Sequence, residues 1–485
     1  MPKGLHWALR AIVLAQIGIV TWDTLALRDA YGLRRVRFDG LEYLAMAHSL
    51  RQGEALRSTP LLEPQPYRWI GEWPLGYPAL IAVTSTITGT EPFHNSRWLN
   101  LFCYIGTYLL LLWIAKPIAE ILFLIVWPPN MTWTVGFVLS ENPFMFFFTL
   151  LIGIAKIFFT TPKALSRHRY GAIVGIALLL WVLFLVRYAG IAVGAAAGLT
   201  GLWLLLRQRY TDGILWIGTA VGQGLFAVAY FTWNSYHDPT GEGGLTMREM
   251  PVPPDLFVQL LPQMGIVYYA GAGAALALLL RALSANSPRP PSTLPYEVKL
   301  FLGISGFAQL VLYAVSMLAG RVGIVDMRHF WPMLLPICWL SWEYLLRVLP
   351  GYLHLGLGIA LLVWQGCNTY RHARQRTAAE HLPYSYIQAV VNAYDTLPPH
   401  TCIAGGSRVY ALSGKRVDLA FVGRDSYWPV LLRRCACLYV DCALLAEKVR
   451  IGASTGMPWP FVRYCPSPCA RDTVCLRKVG CANSR

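Results

Sequence analysis

The chain has 485 residues, of which 55% are hydrophobic and only 14% are charged, whereas average soluble domains carry about 25% charged residues. The net charge of +16 does not indicate nucleic-acid binding, because the basic residues stand mainly in short segments between apolar runs. Cytoplasmic loops of membrane proteins have this pattern. The composition therefore excludes an ordinary soluble protein and favours a polytopic membrane protein.

Most of the chain consists of apolar runs that are long enough to cross a bilayer as helices. About 20 apolar residues span the hydrocarbon core, since a helix satisfies its own backbone hydrogen bonds in lipid. Residues 174–186 and 214–233 are two such runs. The prediction is weakest for 74–90, which is short and contains Pro74, Gly76 and Pro78 near its start. The predicted spans lie near 7–27, 74–90, 97–115, 118–136, 139–159, 170–187, 189–206, 213–233, 260–280, 297–319, 329–346 and 352–369.

The basic segments predict which side of the membrane each loop faces, but they leave two arrangements open. Twelve spans with an outside C-terminal tail place the N-terminus outside, which four arginines within 28–37 also favour. The alternative keeps Lys3 and Arg10 inside and the polar loop 28–73 outside. It requires an odd number of spans, as would follow if 74–90 is re-entrant or if one long segment contains an extra span. In both arrangements the cytoplasmic loops are 160–169, 207–212 and 281–299.

The last part of the chain, 371–485, is predicted to be a separate soluble α+β domain that is rich in cysteine. An even number of cysteines in a small domain favours a disulfide framework in an oxidising, extracytoplasmic compartment. A zinc site is the alternative, because 435–437 (CAC) and 465–469 (CPSPC) look like ligand pairs, although their spacing fits no standard zinc pattern. The disulfide candidates are Cys402, Cys435, Cys437, Cys442, Cys465, Cys469, Cys475 and Cys481.

Two motifs flank the first polar loop. The first is a series made of Asp39, Tyr43, Ala45, Ala47, Leu50 and Gly53. The second, Trp73-Pro74-Leu75-Gly76-Tyr77-Pro78, leads into an apolar run. Together they resemble the GT-C superfamily of membrane glycosyltransferases, which take sugars from polyprenyl-phosphate carriers. Its members include the protein mannosyltransferases of glycosyltransferase family 39 and the lipid A aminoarabinose transferases.

Three downstream segments extend the resemblance over most of residues 1–370. Leu139-Ser140-Glu141-Asn142-Pro143 is similar to the family's acidic residue at the outer start of a middle span. Val186-Arg187-Tyr188-Ala189-Gly190 is similar to its Arg-aromatic-Gly element at a helix end. Asp326-Met327-Arg328-His329, before Pro332 and Pro336, resembles its late Arg-aromatic segment with prolines.

The resemblance implies a fold, a function and a location. The fold is all-α and polytopic, with a GT-C-like transmembrane domain of about 11–13 helices over 1–370, followed by the cysteine-rich domain. The function is transfer of a sugar from a polyprenyl-phosphate donor to a glycan, lipid or protein acceptor at the outer face of a bacterial inner membrane. The alternative function is a transporter or flippase of lipid-linked saccharides that performs no chemistry.

The resemblance also implies roles for individual side chains. A carboxylate would take the proton of the acceptor hydroxyl, and we assign this to Asp39 with Glu42 as a helper one helical turn away. Arginines would neutralise the leaving phosphate through their fixed fork of donors. The phosphate-binding candidates are Arg187, Arg328, Arg37 and Arg68. The residues predicted to line the substrate cavity are Tyr43, Trp73, Tyr77, Glu141 and Tyr188.

Each role has a structural alternative. Asp39 could instead cap a helix, and Arg187 and Arg328 could extend towards the membrane interface. Glu141 could be a structural partner of such an arginine, while Trp73 and Tyr77 could belong to an aromatic belt. No cofactor is assigned. A divalent cation is left open, because many relatives have two adjacent acidic residues where Asp39 is followed by Gly40.

Overall fold

The protein is described by a computed structural model. It describes residues 3–25, 38–53, 57–58, 68–69, 73–116, 118–128, 132–162, 165–237, 293–318, 335–336, 338–340, 342–343, 350–377, 392, 401–404, 418–420, 437–441 and 476–481.

The described part of the transmembrane domain consists mainly of helices, with one short strand pair in the first polar loop. Six of the helices are long and apolar enough to cross a membrane, namely those that begin at Lys3, Pro92, Glu141, Ser166, Tyr210 and Tyr296. This confirms an all-α polytopic membrane protein. The helices are α1 (Lys3–Leu25), α2 (Phe38–Arg51), α3 (Gly76–Thr88), α4 (Pro92–Ile114), α5 (Ala119–Val126), α6 (Glu141–Thr160), α7 (Ser166–Val186), α8 (Gly190–Leu206), α9 (Tyr210–His237), α10 (Tyr296–Leu318) and α11 (Gly351–Thr377). A short 3₁₀ helix covers Thr132–Gly136.

Two predicted spans differ from the observed helices. The run 118–136 is not one continuous helix, because α5 ends at Val126, just before Pro128 and Pro129, and the 3₁₀ helix follows. Proline removes a backbone donor and disfavours the helical conformation of the residue before it. Within 74–90, α3 has 13 residues, so at about 1.5 Å per residue it is shorter than a bilayer core of about 30 Å.

Two other predicted spans cannot be compared in full. The run 260–280 lies outside the described residues, and 329–346 is described only in short helical pieces.

The N-terminal helix starts at the end of the bundle that carries the basic residues. This basic end holds Arg167 and Arg169 at the start of α7 and Arg207 and Arg209 between α8 and α9. Arg10 of α1 forms an ion pair of 3.0 Å with Glu120, in the first turn of α5.

The last turns of α4 and α6 meet at the same end of the bundle. Lys156, near the end of α6, donates a hydrogen bond to the carbonyl of Ile114. Ile114 is the last residue of α4, shortly before α5 begins. The described helices therefore match the arrangement that keeps Lys3 and Arg10 beside the basic loops.

The last helix runs from the basic end to the opposite end. Gly358 of α11 lies against Leu9 and Ile12 of α1. Two turns later, Gln365 accepts a hydrogen bond of 2.9 Å from Thr132, next to the 3₁₀ helix. The C-terminal part of α11 therefore lies towards the far end of the bundle, which we define as the end where α6 begins at Glu141 and α7 ends at Val186.

The described strands lie in the first polar loop and in the C-terminal part. Arg57–Ser58 (β1) pairs antiparallel with Arg68–Trp69 (β2). The C-terminal strands form a four-stranded sheet in the order β4-β3-β5-β6, with β3 parallel to both neighbours and β5 antiparallel to β6. These strands are β3 (Thr401–Ala404), β4 (Asp418–Ala420), β5 (Cys437–Asp441) and β6 (Leu476–Cys481).

The cysteines fall into two groups. Cys103 and Cys338 are buried and free among the transmembrane helices, as expected of small apolar fillers, while Cys367 is free and exposed. The disulfide framework of the C-terminal part stays a prediction. The register of the sheet sets the backbone of Cys437 opposite that of Cys481.

A buried carboxylate ties the helices together at the basic end. Asp212, in the first turn of α9, binds Arg169 of α7 and accepts hydrogen bonds of 2.8 and 3.0 Å from Arg209. Arg209 also pairs with Glu297, in the first turn of α10. Burial lowers the pKa of Arg209, and its hydrogen bonds and charge contacts with Asp212 and Glu297 outweigh this and raise the pKa above its ordinary value. One cluster of charges thus joins α7, α9 and α10.

We expect Asp212→Asn to destabilise the helix bundle strongly. Removing the charge leaves Arg169, whose side chain is only 12% exposed, without its carboxylate partner. Loss of one member of a buried ion pair costs about 3–5 kcal/mol. Thermal unfolding in detergent measures the loss, with Glu91→Gln as the control, because Glu91 is an exposed partner of Arg51 at 3.6 Å and such pairs contribute little. Equal melting temperatures for the two variants would contradict this role.

Candidate active site

An ion pair joins two helix ends at the far end of the bundle. Glu141 is the first residue of α6, where the partial positive charge of a helix N-terminus favours a carboxylate. Arg187 follows the last residue of α7 and has an extended backbone. Its Nη1 lies 2.7 Å from Oε1 of Glu141, and the Glu141 side chain is only 2% exposed. The predicted pairing of Glu141 with an arginine is therefore seen in the structure.

The hydroxyl of Ser140 connects this pair to the helix of the first polar loop. It lies 3.3 Å from Nη1 of Arg187 and 3.3 Å from the hydroxyl of Tyr43 in α2. The Tyr43 ring meets those of Trp73 and Tyr77 edge to face, with centroids 5.7 and 5.2 Å apart. Tyr43 thus fixes α2 against the starts of α3 and α6.

A second series of hydrogen bonds holds the start of α3 beside this cluster. The Tyr77 hydroxyl donates to Oδ1 of Asn100 at 3.1 Å, and the Asn100 amide donates to the Phe137 carbonyl at 2.6 Å. Gly76 lets α3 approach α7, because a Cβ there would lie 2.7 Å from the backbone of Leu185. The Pro-Leu-Gly-Tyr motif therefore places Tyr77 beside the end of α7.

An aromatic group closes the other side. Tyr188 is half-buried, and its ring centroid lies 6.2 Å from that of Tyr230 and 5.6 Å from that of Phe184. The Tyr230 hydroxyl is hydrogen-bonded with Tyr188 and with the backbone of Leu75. The helix α9 thereby contacts the segment that connects the first polar loop to α3.

The two candidate carboxylates lie at the start of α2. Asp39 is the second residue of this helix, within its first turn, and Glu42 follows three residues later and is buried. Tyr43, one turn after Asp39, holds the helix on Ser140. The structure therefore brings the first turn of α2 close to the pair of Glu141 and Arg187. The Asp39 side chain itself is outside the described set.

The structure brings together most of the described residues that were predicted for the site. Tyr43, Trp73, Tyr77, Glu141 and Arg187 form one cluster, and Tyr188 lies beside it. The other phosphate-binding candidates are not tested. Arg37 and Arg328 lie outside the described residues, and Arg68 is described only as backbone in β2.

Three residues of the cluster were missed by sequence reasoning. Asn100 and Tyr230 are polar groups inside apolar helices, and this is the signal that could have found them, because such groups have partners in the bundle. Ser140 stands within a quoted motif, but only its contacts with Tyr43 and Arg187 indicate its place.

The cluster offers hydrogen-bond donors to an anion. Both described contacts of Arg187 use Nη1, and its side chain is 16% exposed. Its Nε and Nη2, which carry three N–H bonds, have no partner within the part of the chain that the structure describes. A buried arginine with a fixed carboxylate partner is a preorganised donor for phosphate.

No group of three or more His, Cys, Asp or Glu side chains gathers among the residues whose side chains are described. We therefore assign no metal ligand.

Comparison with solved structures identifies the fold. ArnT from Cupriavidus metallidurans, solved in the apo state, aligns with a TM-score of 0.58 over 91% of this chain and 94% of its own chain, at 12% sequence identity. The oligosaccharyltransferase of Archaeoglobus fulgidus in its apo form aligns with a TM-score of 0.52 over 91% of this chain and 70% of its own chain, at 11% identity. No family model and no curated protein matches the sequence. The chain therefore has the fold of these two solved structures, which agrees with the polytopic helical membrane fold that the sequence motifs predict.

Proposed function

We propose that this GT-C-fold chain is an inverting glycosyltransferase that moves a sugar from a polyprenyl phosphate to an acceptor at the outer face of a bacterial inner membrane. The observation that carries the proposal is the Glu141–Arg187 pair, linked through Ser140 to the helix that bears Asp39 and Glu42. An acceptor-activating carboxylate and a phosphate-binding arginine would then meet in one cavity.

In the proposed reaction the acceptor hydroxyl attacks the anomeric carbon of the sugar. The new bond joins the acceptor oxygen to that carbon while the bond from the carbon to the phosphate oxygen breaks. The electron pair of the broken bond leaves with the lipid phosphate, and the proton of the hydroxyl passes to the Asp39 carboxylate, with Glu42 as its helper. Attack from the face opposite the phosphate inverts the anomeric centre. A positioned carboxylate of this kind contributes about 10²–10⁴-fold to the rate.

Arg187 has the complementary role of stabilising the phosphate as its charge grows. Glu141 and Ser140 hold one end of the guanidinium, so the remaining N–H groups need little rearrangement to bind the leaving group. Such preorganised donors stabilise developing charge better than mobile ones. Tyr43 and Tyr77 are buried and would support the half-buried ring of Trp73, against which the sugar would lie.

The polarity of the bundle supports an extracytoplasmic site. If the basic end faces the cytoplasm, as the positive-inside rule requires, the far end with Glu141 and Arg187 faces outwards. The 20 residues of α6 separate the ends by about 30 Å, the thickness of a bilayer core. The chain that leaves α11 at the far end would then carry the cysteine-rich domain on the outer side.

Turnover of a lipid-linked sugar tests the proposed function. Purified protein in detergent is incubated with radiolabelled polyprenyl-phosphate monosaccharides and a membrane extract that supplies acceptors, and the label that leaves the lipid is counted. We expect the wild type to move label from the lipid to an acceptor. If the lipid binds but keeps its label with every acceptor fraction, the protein is not this transferase, and transport of intact lipid-linked sugars becomes the better account.

A further inference from the structure

A trough on the surface of the transmembrane domain lies between α8 and α10, away from the candidate active site. Its volume is about 470 Å³, within the range of about 300–1,000 Å³ that is typical of small-molecule sites. It begins at the basic end with Tyr296 and reaches Phe307, eleven residues further along α10, which is about 16 Å. Its lining residues are Leu199, Tyr296, Lys299, Leu300, Gly303, Ile304 and Phe307.

The shape and lining of the trough fit a hydrocarbon chain. From Leu300 to Phe307 every lining residue of α10 is apolar. Leu199 on one wall and Phe307 at the upper end are 51% and 67% exposed. In a helix that crosses a membrane, such residues face lipid. A single acyl chain lying along α10 would cover this surface.

The lower mouth of the trough combines aromatic rings with cations. The rings of Trp203 and Tyr296 lie 5.5 Å apart, and the guanidinium of Arg207 lies over Trp203 at 5.5 Å from its centroid. The Lys299 ammonium is 3.3 Å from Glu343 and retains donors beyond that contact. Tryptophan and tyrosine concentrate at the level of lipid headgroups, so this mouth has the composition of a headgroup site.

The charges around the mouth leave one cation unmatched. Asp212 and Glu297 are engaged by Arg169 and Arg209, and Glu343 is engaged by Lys299. No carboxylate pairs with Arg207 among the residues that the structure describes. The mouth therefore favours an anion over a zwitterion.

We propose that this trough binds an anionic phospholipid of the cytoplasmic leaflet, with one acyl chain along α10 and the phosphate between Arg207 and Lys299. Basic pockets between transmembrane helices on the cytoplasmic side bind anionic headgroups, to which each basic residue contributes about 1 kcal/mol. The lipid joins α8 to α10 at their lower ends. This site is separate from the proposed transfer reaction and does not depend on it.

Lipid binding by the full-length protein tests the proposal. Delipidated protein in a neutral detergent is titrated with phosphatidylglycerol or phosphatidylcholine, and bound lipid is counted by native mass spectrometry while the melting temperature is recorded. We expect phosphatidylglycerol to bind more tightly and to raise the melting temperature more than phosphatidylcholine does. Equal effects of the two lipids would overturn the proposal.

Two variants with matched controls locate the site. Arg207→Gln should weaken phosphatidylglycerol binding by about 5-fold. The control Arg167→Gln, which changes an exposed arginine at the start of α7 and thus at the same basic end of the bundle, should not weaken it. Leu199→Trp should block the trough, whereas Leu202→Trp, at a position of the same helix that is 49% exposed and outside the lining, should not. Unchanged binding in both test variants would overturn the assignment.

A photoreactive lipid gives an independent location. Phosphatidylglycerol with a diazirine on its acyl chain should crosslink to α8 and α10 at the level of Gly303. Crosslinks confined to other helices would show that the lipid does not occupy this surface. The same would follow if, in a structure determined with the lipid, residues 238–292 filled the trough.

Discussion

Asp39→Asn is expected to lower turnover of the lipid-linked donor by at least about 10²-fold, and up to about 10⁴-fold, while the protein still folds. Asparagine has nearly the same shape as aspartate but cannot accept the proton of the acceptor hydroxyl. The helix α2 keeps its place because Tyr43 contacts Ser140, Trp73 and Tyr77. Initial rates at saturating donor measure the effect.

The control for this variant is another carboxylate outside the site. Glu91→Gln removes an exposed acidic residue just before α4 and should leave the rate unchanged within about 2-fold, because an exposed ion pair contributes little. Glu42→Gln shows whether the second carboxylate of α2 helps. Wild-type rates in Asp39→Asn would remove this residue from the catalytic role.

Arg187→Gln is expected to lose both activity and stability. The variant removes the donors proposed for the leaving phosphate, for which a loss of about 10²–10³-fold is typical. It also leaves the buried Glu141 without its guanidinium partner, at a cost of about 3 kcal/mol. Initial rates and thermal unfolding in detergent measure the two effects separately.

A double variant separates the two effects. Glu141→Gln/Arg187→Gln removes both charges at once, so no unpaired charge remains buried and the melting temperature should recover most of the loss. The rate should stay low, because no guanidinium is left to bind phosphate. Arg187→Lys should also be slow, since an ammonium lacks the planar fork. If the double variant turns over like the wild type, Arg187 has only a structural role.

The helical architecture could be predicted from the sequence because lipid imposes a simple requirement. A segment that crosses the hydrocarbon core must be apolar over about 20 residues and must bond its own backbone. Nine of the predicted runs therefore coincide in position with helices, from α1 and α3 to α11. The run 118–136 differs, because Pro128 and Pro129 stop α5 within an apolar run, so that hydropathy alone misjudges the length of the helix. The run 74–90 coincides with α3 in position, but this helix has only 13 residues.

The orientation of the N-terminus could not be settled from charge alone. The four arginines within 28–37 and the pair Lys3 and Arg10 point to opposite sides. The contact of Arg10 with Glu120 places the start of α1 at the basic end, which matches the second arrangement. That contact joins residues 110 positions apart, and no local pattern predicts it.

Part of the candidate site could be predicted because its residues stand in short motifs. Tyr43, Glu141 and Arg187 belong to three separate motifs, and the structure brings them together around Ser140. Asn100 and Tyr230 were not predicted, since each acts through one long-range hydrogen bond network inside an apolar helix. The catalytic and binding roles of all the predicted site residues stay predictions, including those of Asp39, Glu42 and Arg187.

The most direct test of the central claim is a structure of the full-length protein with polyprenyl phosphate bound. The account predicts that the phosphate lies within hydrogen-bond distance of Nε or Nη2 of Arg187, facing the first turn of α2, while Nη1 stays on Glu141. The isoprenoid chain would then leave the bundle at the far end. A phosphate bound elsewhere, with Arg187 contacting only protein groups, would contradict the account.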